Sequence, residues 1–275
     1  MKSQSGQPGI FSSRKPENAT AELGISNLSL RFGGVRALNN IDLEVHTGEF
    51  VAVIGPNGAG KTCLVNCVTG FYRPQKGRMH FNDRDITHLP PHELVKIGIG
   101  RTFQNIELFP GMTVLSNMLL ARHIHCHYGL GHAALFTAAA RKEEIRHRLV
   151  LEEVIDFLEM QAIRKKIVGS LPYGLMKRVE LGRALALEPK LLVLDEPFAG
   201  MNLEEKEDMV RFLIELNEAW GQTMILVEHD MSIVMSIAQR IMVLNFGEKL
   251  TEGTPEEVRN HPEVIKAYLG DAETV

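Results

Sequence analysis

Two stretches of this sequence hold residue types that chemistry uses. "GPNGAGKT", Gly55 to Thr62, matches G-x-x-x-x-G-K-[ST]. Glycines at 55, 58 and 60 let the backbone curl so that successive N–H groups face a phosphate, and a helix beginning there adds its positive end. Lys61 supplies a point charge for the β- and γ-phosphates of a nucleotide, and the Thr62 hydroxyl is suited to ligating Mg²⁺. The candidate nucleotide contacts of this loop are Gly55, Asn57, Gly58, Ala59, Gly60, Lys61, Thr62 and Cys63. The second stretch, "LLVLDEP", ends in the adjacent carboxylates Asp195 and Glu196. Asp195 suits Mg²⁺, held through water, and Glu196 suits polarising an attacking water as general base. Alone, such an acidic strand end reads as a charged terminus facing solvent; beside a phosphate loop it reads as catalytic.

These residues need a scaffold that brings them together. "EFVAVIG" is a near-continuous apolar run of the kind a fully buried strand requires, and "KTCLVNCVTG" behind it has a helical pattern. From Ile25 to Val45, "ISNLSLRF" and "IDLEV" alternate apolar and polar residues around "FGG" and "NN", which predicts short antiparallel strands. The middle, from about Leu115 to Ile167, is helical in composition and includes the charged amphipathic stretch "RKEEIRHRLVLEEVIDFLEM". "TMILVEHD" reads as a further buried strand, and "RIMVLNFGEKLTEG" as a hairpin turning at Asn245 to Glu248. Strands alternating with helices imply an α/β fold, a mainly parallel sheet with helices on both faces. It carries an antiparallel β-subdomain and an inserted helical subdomain over about 105–185. In such a sheet the ligand sits outside the carboxyl ends of the strands, so the "LLVLDEP" strand delivers its acids to the phosphate loop.

The bulk properties are compatible with this. A chain of 275 residues that is 44% hydrophobic can bury a proper core, which excludes fibrous and disordered classes. Its net charge of −4 gives no global basic surface for sequence-independent nucleic-acid binding. Three cysteines, an odd number, argue for a reducing, cytosolic compartment. No run of about 18 apolar residues is present to span a bilayer, and the amino-terminal stretch lacks the apolar core of a signal peptide, so a membrane role would come through a partner. Residues 1–20, rich in Ser, Gly, Pro and Lys, read as a disordered tail, 21–270 as a single domain and 271–275 as a short tail.

Kinases and GTPases with a phosphate loop share the two acidic and glycine-rich elements but not those that accompany them here. "RTFQN" precedes "LPYGLMKR", the carboxylate strand is followed by "AGMN", and "LVEHD" ends the next strand. This order resembles the ATP-binding subunit of ABC transporters, over about Leu23 to Gly270. The resemblance implies a RecA-like P-loop NTPase fold, with ATP and Mg²⁺ as ligands. It implies that Gln104 is the Q-loop residue, contacting Mg²⁺ or the attacking water and relaying nucleotide state to membrane subunits. His229 becomes the switch histidine on the γ-phosphate, and Ala199 to Asn202 the D-loop at a dimer seam. Phe32, in "RFGG", stands where the family has an aromatic that stacks on adenine, although an isolated Phe is more often core. Catalytic roles thus fall to Glu196, His229, Gln104 and Lys61, and metal contacts to Thr62, Gln104 and Asp195.

The resemblance also accounts for the helix start in "SLPYGLMKRVELGRALALEPKLLVLDEP". Leu171 to Leu175 fall at the family's signature, usually L-S-G-G-Q, whose helix N-terminus meets the γ-phosphate held by a second subunit. Leu171 and Gly174 are the retained contacts. Pro172 stands for Ser, Tyr173 for the first Gly and Leu175 for Gln. Pro172 offers neither hydroxyl nor N–H, and an uncompensated charge-assisted hydrogen bond is worth about 1.5–3 kcal/mol. Asn202 likewise replaces the D-loop Asp, which alters its coupling to the partner subunit.

Within the family, "RTFQNIELFPGMTVLSNMLLARH", "LDEPFAGMN" and "GTPEEVRNHPEVIKAYLG" resemble the larger ATPase subunit of branched-chain amino acid importers, a type shared with importers of urea and short amides. The implied partners are integral-membrane permease subunits, a second ATPase subunit in a head-to-tail dimer and, indirectly, an extracytoplasmic solute-binding protein. Nucleic acid is not among them. The implied location is peripheral, on the cytoplasmic face of the inner membrane. Competing readings are a lipopolysaccharide-export ATPase, a non-transport ABC ATPase acting on nucleic acid or the ribosome, and a non-hydrolysing regulatory module. Two features fall outside these roles. His123, His125, Cys126, His127 and His132 form a soft-ligand cluster whose spacing fits no standard structural metal site, so a solvated helix end is the better reading. Cys63 and Cys67, one turn apart, read as small packing residues.

Overall fold

The structure, a computed structural model, describes residues 21–102, 104, 106–125 and 138–270. The sequence reading of residues 1–20 and 271–275 as tails therefore lies outside the described residues. In chain order the first elements are β1 (Ala21–Phe32), β2 (Val35–His46), β3 (Phe50–Ile54), α1 (Lys61–Val68), β4 (Lys76–Phe81), β5 (Arg84–Asp85), α2 (Pro91–Ile97) and β6 (Ile99–Arg101). The helical middle follows, with α3 (Val114–Ala121), α4 (Ala138–Phe157) and α5 (Tyr173–Leu185). The remainder is β7 (Leu191–Asp195), α6 (Leu203–Glu218), β8 (Thr223–Val227), α7 (Met231–Ile237), β9 (Arg240–Asn245), β10 (Glu248–Gly253), α8 (Pro255–Arg259) and α9 (Pro262–Gly270).

The strands form a six-stranded sheet in the order β10-β9-β3-β8-β7-β6 and a four-stranded sheet in the order β2-β1-β4-β5. Within the larger sheet β6, β7, β8, β3 and β9 run parallel, and β10 returns antiparallel from the hairpin at Asn245–Glu248. Every residue of β3, β7 and β8 is buried, as strands covered on both faces must be. Alternate side chains of β3 feed two separate cores. Phe50, Ala52 and Ile54 join α3 to α6 and the last two helices on one face. Val51 and Val53 join α1 and the smaller antiparallel sheet on the other. The helical middle is covered by the first core through Val114, Met118, Leu151, Val154, Ile155 and Leu158.

The antiparallel strands are longer than the sequence pattern predicts. "NN" does not interrupt β2; Asn40 takes a left-handed conformation (φ +52°) inside the strand, and its N–H donates to the Ser29 hydroxyl at 3.0 Å. Asn tolerates that region, and the irregular register beside it marks a bulge rather than a turn. Among the described residues, no helix is long and apolar enough to cross a membrane.

Candidate nucleotide site

The parallel register brings three chain segments to one edge. Val53 pairs with Val227, and Val227 pairs with Asp195, so β3, β8 and β7 end side by side at their carboxyl ends. The glycine loop leaves β3, Glu196 follows β7 and His229 follows β8, so the motifs read from the sequence converge as the fold class requires.

Gly60 is the N-cap of α1 with φ +104°, and a Cβ there would press on the Ala37 carbonyl oxygen and a Leu38 methyl. The loop is also held from outside, since the Gly247 N–H of the β9–β10 turn donates to the Ala59 carbonyl at 3.0 Å. Replacing Gly60 with Ala should lower unfolding free energy by about 1–3 kcal/mol from backbone strain alone, before the clash is counted. Chemical denaturation measures this, and an unshifted midpoint would show that the loop has another conformation open to it. Lys61 folds back over the loop, its ammonium donating to the carbonyls of Gly55 (2.7 Å) and Pro56 (3.1 Å). Burial lowers its pKa from the ordinary lysine value, and the carboxylates of Glu196, Glu228 and Asp195 work against that shift. Asn57, Gly58 and the Thr62 side chain are exposed at the rim, Ala59 is buried and Cys63 is half-buried. Burial raises the pKa of the Cys63 thiol and pushes that of Cys67 up to about 12, which makes both packing groups rather than nucleophiles.

Asp195 is almost wholly buried. Its Oδ2 accepts from the Arg101 guanidinium at 2.7 Å, while its Oδ1 is buried with no hydrogen-bond partner. Burial raises the Asp195 pKa above the usual carboxylate value, although Arg101 pulls it down. Arg101 is in turn fixed by Asn66 (2.7 Å) and Thr69 (3.0 Å) at the end of α1. The next residue, Glu196, has a left-handed backbone (φ +47°), a strained conformation typical of functional sites. Its Oε2 accepts from the Gln104 amide at 2.7 Å, so the two residues assigned to the attacking water touch each other. The His229 ring is 61% exposed and lies 3.5 Å from the carboxylate of buried Glu228, which also accepts from the backbone N–H groups of His229 and Asp230. The other Glu228 oxygen accepts from the Phe198 N–H at 3.3 Å, tying the β7 and β8 ends together. Phe32 is 47% exposed and meets Tyr72 edge-on with ring centroids 5.1 Å apart, which leaves an aromatic face open to a planar ligand.

The signature segment sits apart from this edge, at the start of α5. Leu171 and Gly174 are buried, and Pro172 is an N-cap with no side-chain cap, so the first-turn N–H groups are left without one. The unusual Tyr173 lies against Gly200, where a Cβ would strike its ring. Gly200 itself has a left-handed backbone (φ +76°), so glycine is required there both by the backbone and by the ring. Asn202 serves locally, its side chain accepting from the Glu205 N–H at 2.9 Å in the capping box of α6. Of the histidine cluster, His123 is exposed and the His125 ring contacts the Leu187 carbonyl at 3.0 Å; Cys126, His127 and His132 lie outside the described residues. No group of three or more metal-ligating side chains occurs among the described residues.

Arg101 and Glu228 were not singled out from the sequence. Both stand inside quoted motifs, "RTFQN" and "LVEHD", but only the fold shows that one grips Asp195 and the other the β7–β8 seam.

Comparison with known proteins agrees with this geometry. The ABC transporter family matches residues 38–199, and the branched-chain amino acid ATP-binding cassette transporter family matches residues 248–274. The chain is 41% identical over 253 residues to the high-affinity branched-chain amino acid transport ATP-binding protein BraF of Pseudomonas aeruginosa, covering 91% of this chain and 98% of that protein. It is 40% identical to its counterpart LivG of Escherichia coli, with the same coverage. Among solved structures it resembles the ADP conformation of an ATP-binding cassette of an ABC transporter, with TM-score 0.79, 33% identity and coverage of 91% and 99% of the two chains. It also resembles a dimeric cassette in a post-hydrolysis state bound to ADP and Pi, with TM-score 0.71, 27% identity and coverage of 85% and 98%. The glycine loop under a buried lysine, the Gln104–Glu196 pair and these matches lead to one assignment: the chain belongs to the ATP-binding subunits of ABC transporters.

Proposed function

We propose that this chain is the ATP-hydrolysing motor of an importer of branched-chain amino acids or closely related solutes. The observation that carries the reading is the Gln104–Glu196 contact of 2.7 Å beside a Lys61-bearing phosphate loop. The loop N–H groups and Lys61 bind the β- and γ-phosphates, and Phe32 stacks on the adenine. Glu196 takes the proton of the attacking water, Gln104 orients Glu196 and that water, and His229 donates to the γ-phosphate. The unpartnered Oδ1 of Asp195 and the exposed Thr62 hydroxyl are oxygen donors suited to Mg²⁺, and the Gln104 amide reaches the next residue, Glu196. When bound, that ion neutralises charge on the phosphates.

The partners follow from two surfaces. A cavity of ≈ 430 Å³ between α2, β6 and α5 is lined by Phe71, Pro91, Leu94, Leu120, Arg183 and Leu187, among others. Exposed Phe71 and Leu120 make it a seat for an apolar segment of a permease. The uncapped start of α5 is the second surface, facing the nucleotide of another ATPase subunit. In size-exclusion chromatography of Glu196→Gln, ATP should convert monomer to dimer if "LPYGL" clasps nucleotide on its own copy. A monomer at saturating ATP would assign the trans contact to a different cassette. The C-terminal family match and the curated relatives favour import over lipopolysaccharide export or nucleic-acid work. The test of function is uptake: cells lacking this chain should lose transport of labelled leucine, isoleucine or valine, restored by the wild type and not by Glu196→Gln. Uptake unaffected by the deletion would reject the substrate assignment.

A further inference from the structure

Helix α5 carries Lys177, Glu180 and Arg183 at spacings of three, hence along one side, a turn after Gly174. Lys177 and Glu180 are each 2% exposed and 3.5 Å apart. The Lys177 ammonium also donates to the backbone carbonyl of Gln104 at 2.9 Å. Farther along, the Arg183 guanidinium donates to the carbonyl of Glu107 and lines the apolar groove described above. Two cations of one helix therefore grip the main chain at Gln104, whose side chain reaches Glu196, and again at Glu107 just downstream.

A buried ammonium is costly unless it is paired and hydrogen-bonded, and a methionine of similar length would fill the space without that cost. The charge at 177 is explained by what it holds. We infer that Lys177 is a positioning residue for hydrolysis: through the Gln104 carbonyl it sets the backbone from which the Gln104 amide meets Glu196. It thereby fixes that contact to the helix whose first turn faces the partner's nucleotide. The inference rests on Gln104 acting at Glu196, as proposed above. It assigns Lys177 no contact with substrate.

A double-mutant cycle on the full chain separates this from a packing role. Steady-state kcat and KM for ATP are measured for Lys177→Met, Gln104→Ala and the combined variant. Lys177→Met should lower kcat by roughly tenfold to a hundredfold, the worth of one charge-assisted hydrogen bond, with KM for ATP nearly unchanged. The combined variant should be no slower than Gln104→Ala, because the lysine acts only through that residue. Lys177→Arg, which keeps a donor for the carbonyl, should recover most of the turnover. Losses that multiply in the combined variant, or a fall confined to KM, would overturn the inference. Wild-type turnover in Gln104→Ala would instead remove the assumed role of Gln104, leaving a different reading to fail. Should Lys177→Met not fold because Glu180 loses its cation, the cycle is run on Lys177→Met/Glu180→Gln against Glu180→Gln; equal turnover of those two would also reject it.

Discussion

Glu196→Gln should reduce steady-state ATP turnover by about 10²–10⁴-fold, the range that loss of a positioned general base produces, and leave ATP affinity within a few-fold of wild type. The substitution is nearly isosteric, and an amide oxygen can still accept the hydrogen bond that Gln104 now gives the carboxylate at 2.7 Å. The left-handed backbone at 196 is as accessible to Gln as to Glu, so the loop after β7 keeps its course. What disappears is a basic oxygen able to take a proton. Binding is expected to survive because the phosphate contacts come from a different segment, the loop after β3. Turnover measured at saturating ATP, beside a binding isotherm for a fluorescent ATP analogue, decides the matter. Turnover equal to wild type would remove Glu196 as the base, and a parallel loss of affinity would make it a structural prop of the site.

What the sequence revealed of this site, and what it hid, divides by range of interaction. The phosphate loop, the buried β3, β7 and β8 and the turn at Asn245–Glu248 are encoded in adjacent residues, so pattern and glycine placement suffice to read them. The grip of Arg101 on Asp195 spans 94 positions and that of Lys177 on Gln104 spans 73, and nothing in local pattern distinguishes these cations from solvated ones. Burial was misleading in the same way. In sequence Lys177 and Glu180 are two charges on a helix, whereas in the fold both are buried and Lys177 donates to the Gln104 carbonyl. The departures at Tyr173 and Asn202 look like lost contacts when each is read alone. In the fold Tyr173 is seated on Gly200 and Asn202 caps α6, so the signature and the loop after Glu196 are fitted to one another.

The other large effect is expected at Lys61, where Lys61→Ala should weaken ATP binding by roughly 10²–10⁴-fold, the equivalent of losing one or two charge-assisted hydrogen bonds at about 1.5–3 kcal/mol each. The ammonium is buried against the Gly55 and Pro56 carbonyls and stands among Glu196, Glu228 and Asp195. Its charge therefore does two things at once. It attracts the phosphates, and it offsets three nearby carboxylates that would otherwise repel them. Removing it costs both, which is why the loss should exceed that of an ordinary surface lysine. Alanine is a good residue for the first turn of α1, so the helix itself should persist and thermal unfolding without ATP should change far less than affinity does. Calorimetric titration with ATP reads the effect directly. An unchanged dissociation constant would mean that the backbone N–H groups of Gly58 to Thr62 hold the triphosphate by themselves, and that the lysine serves the loop's own carbonyls rather than the ligand.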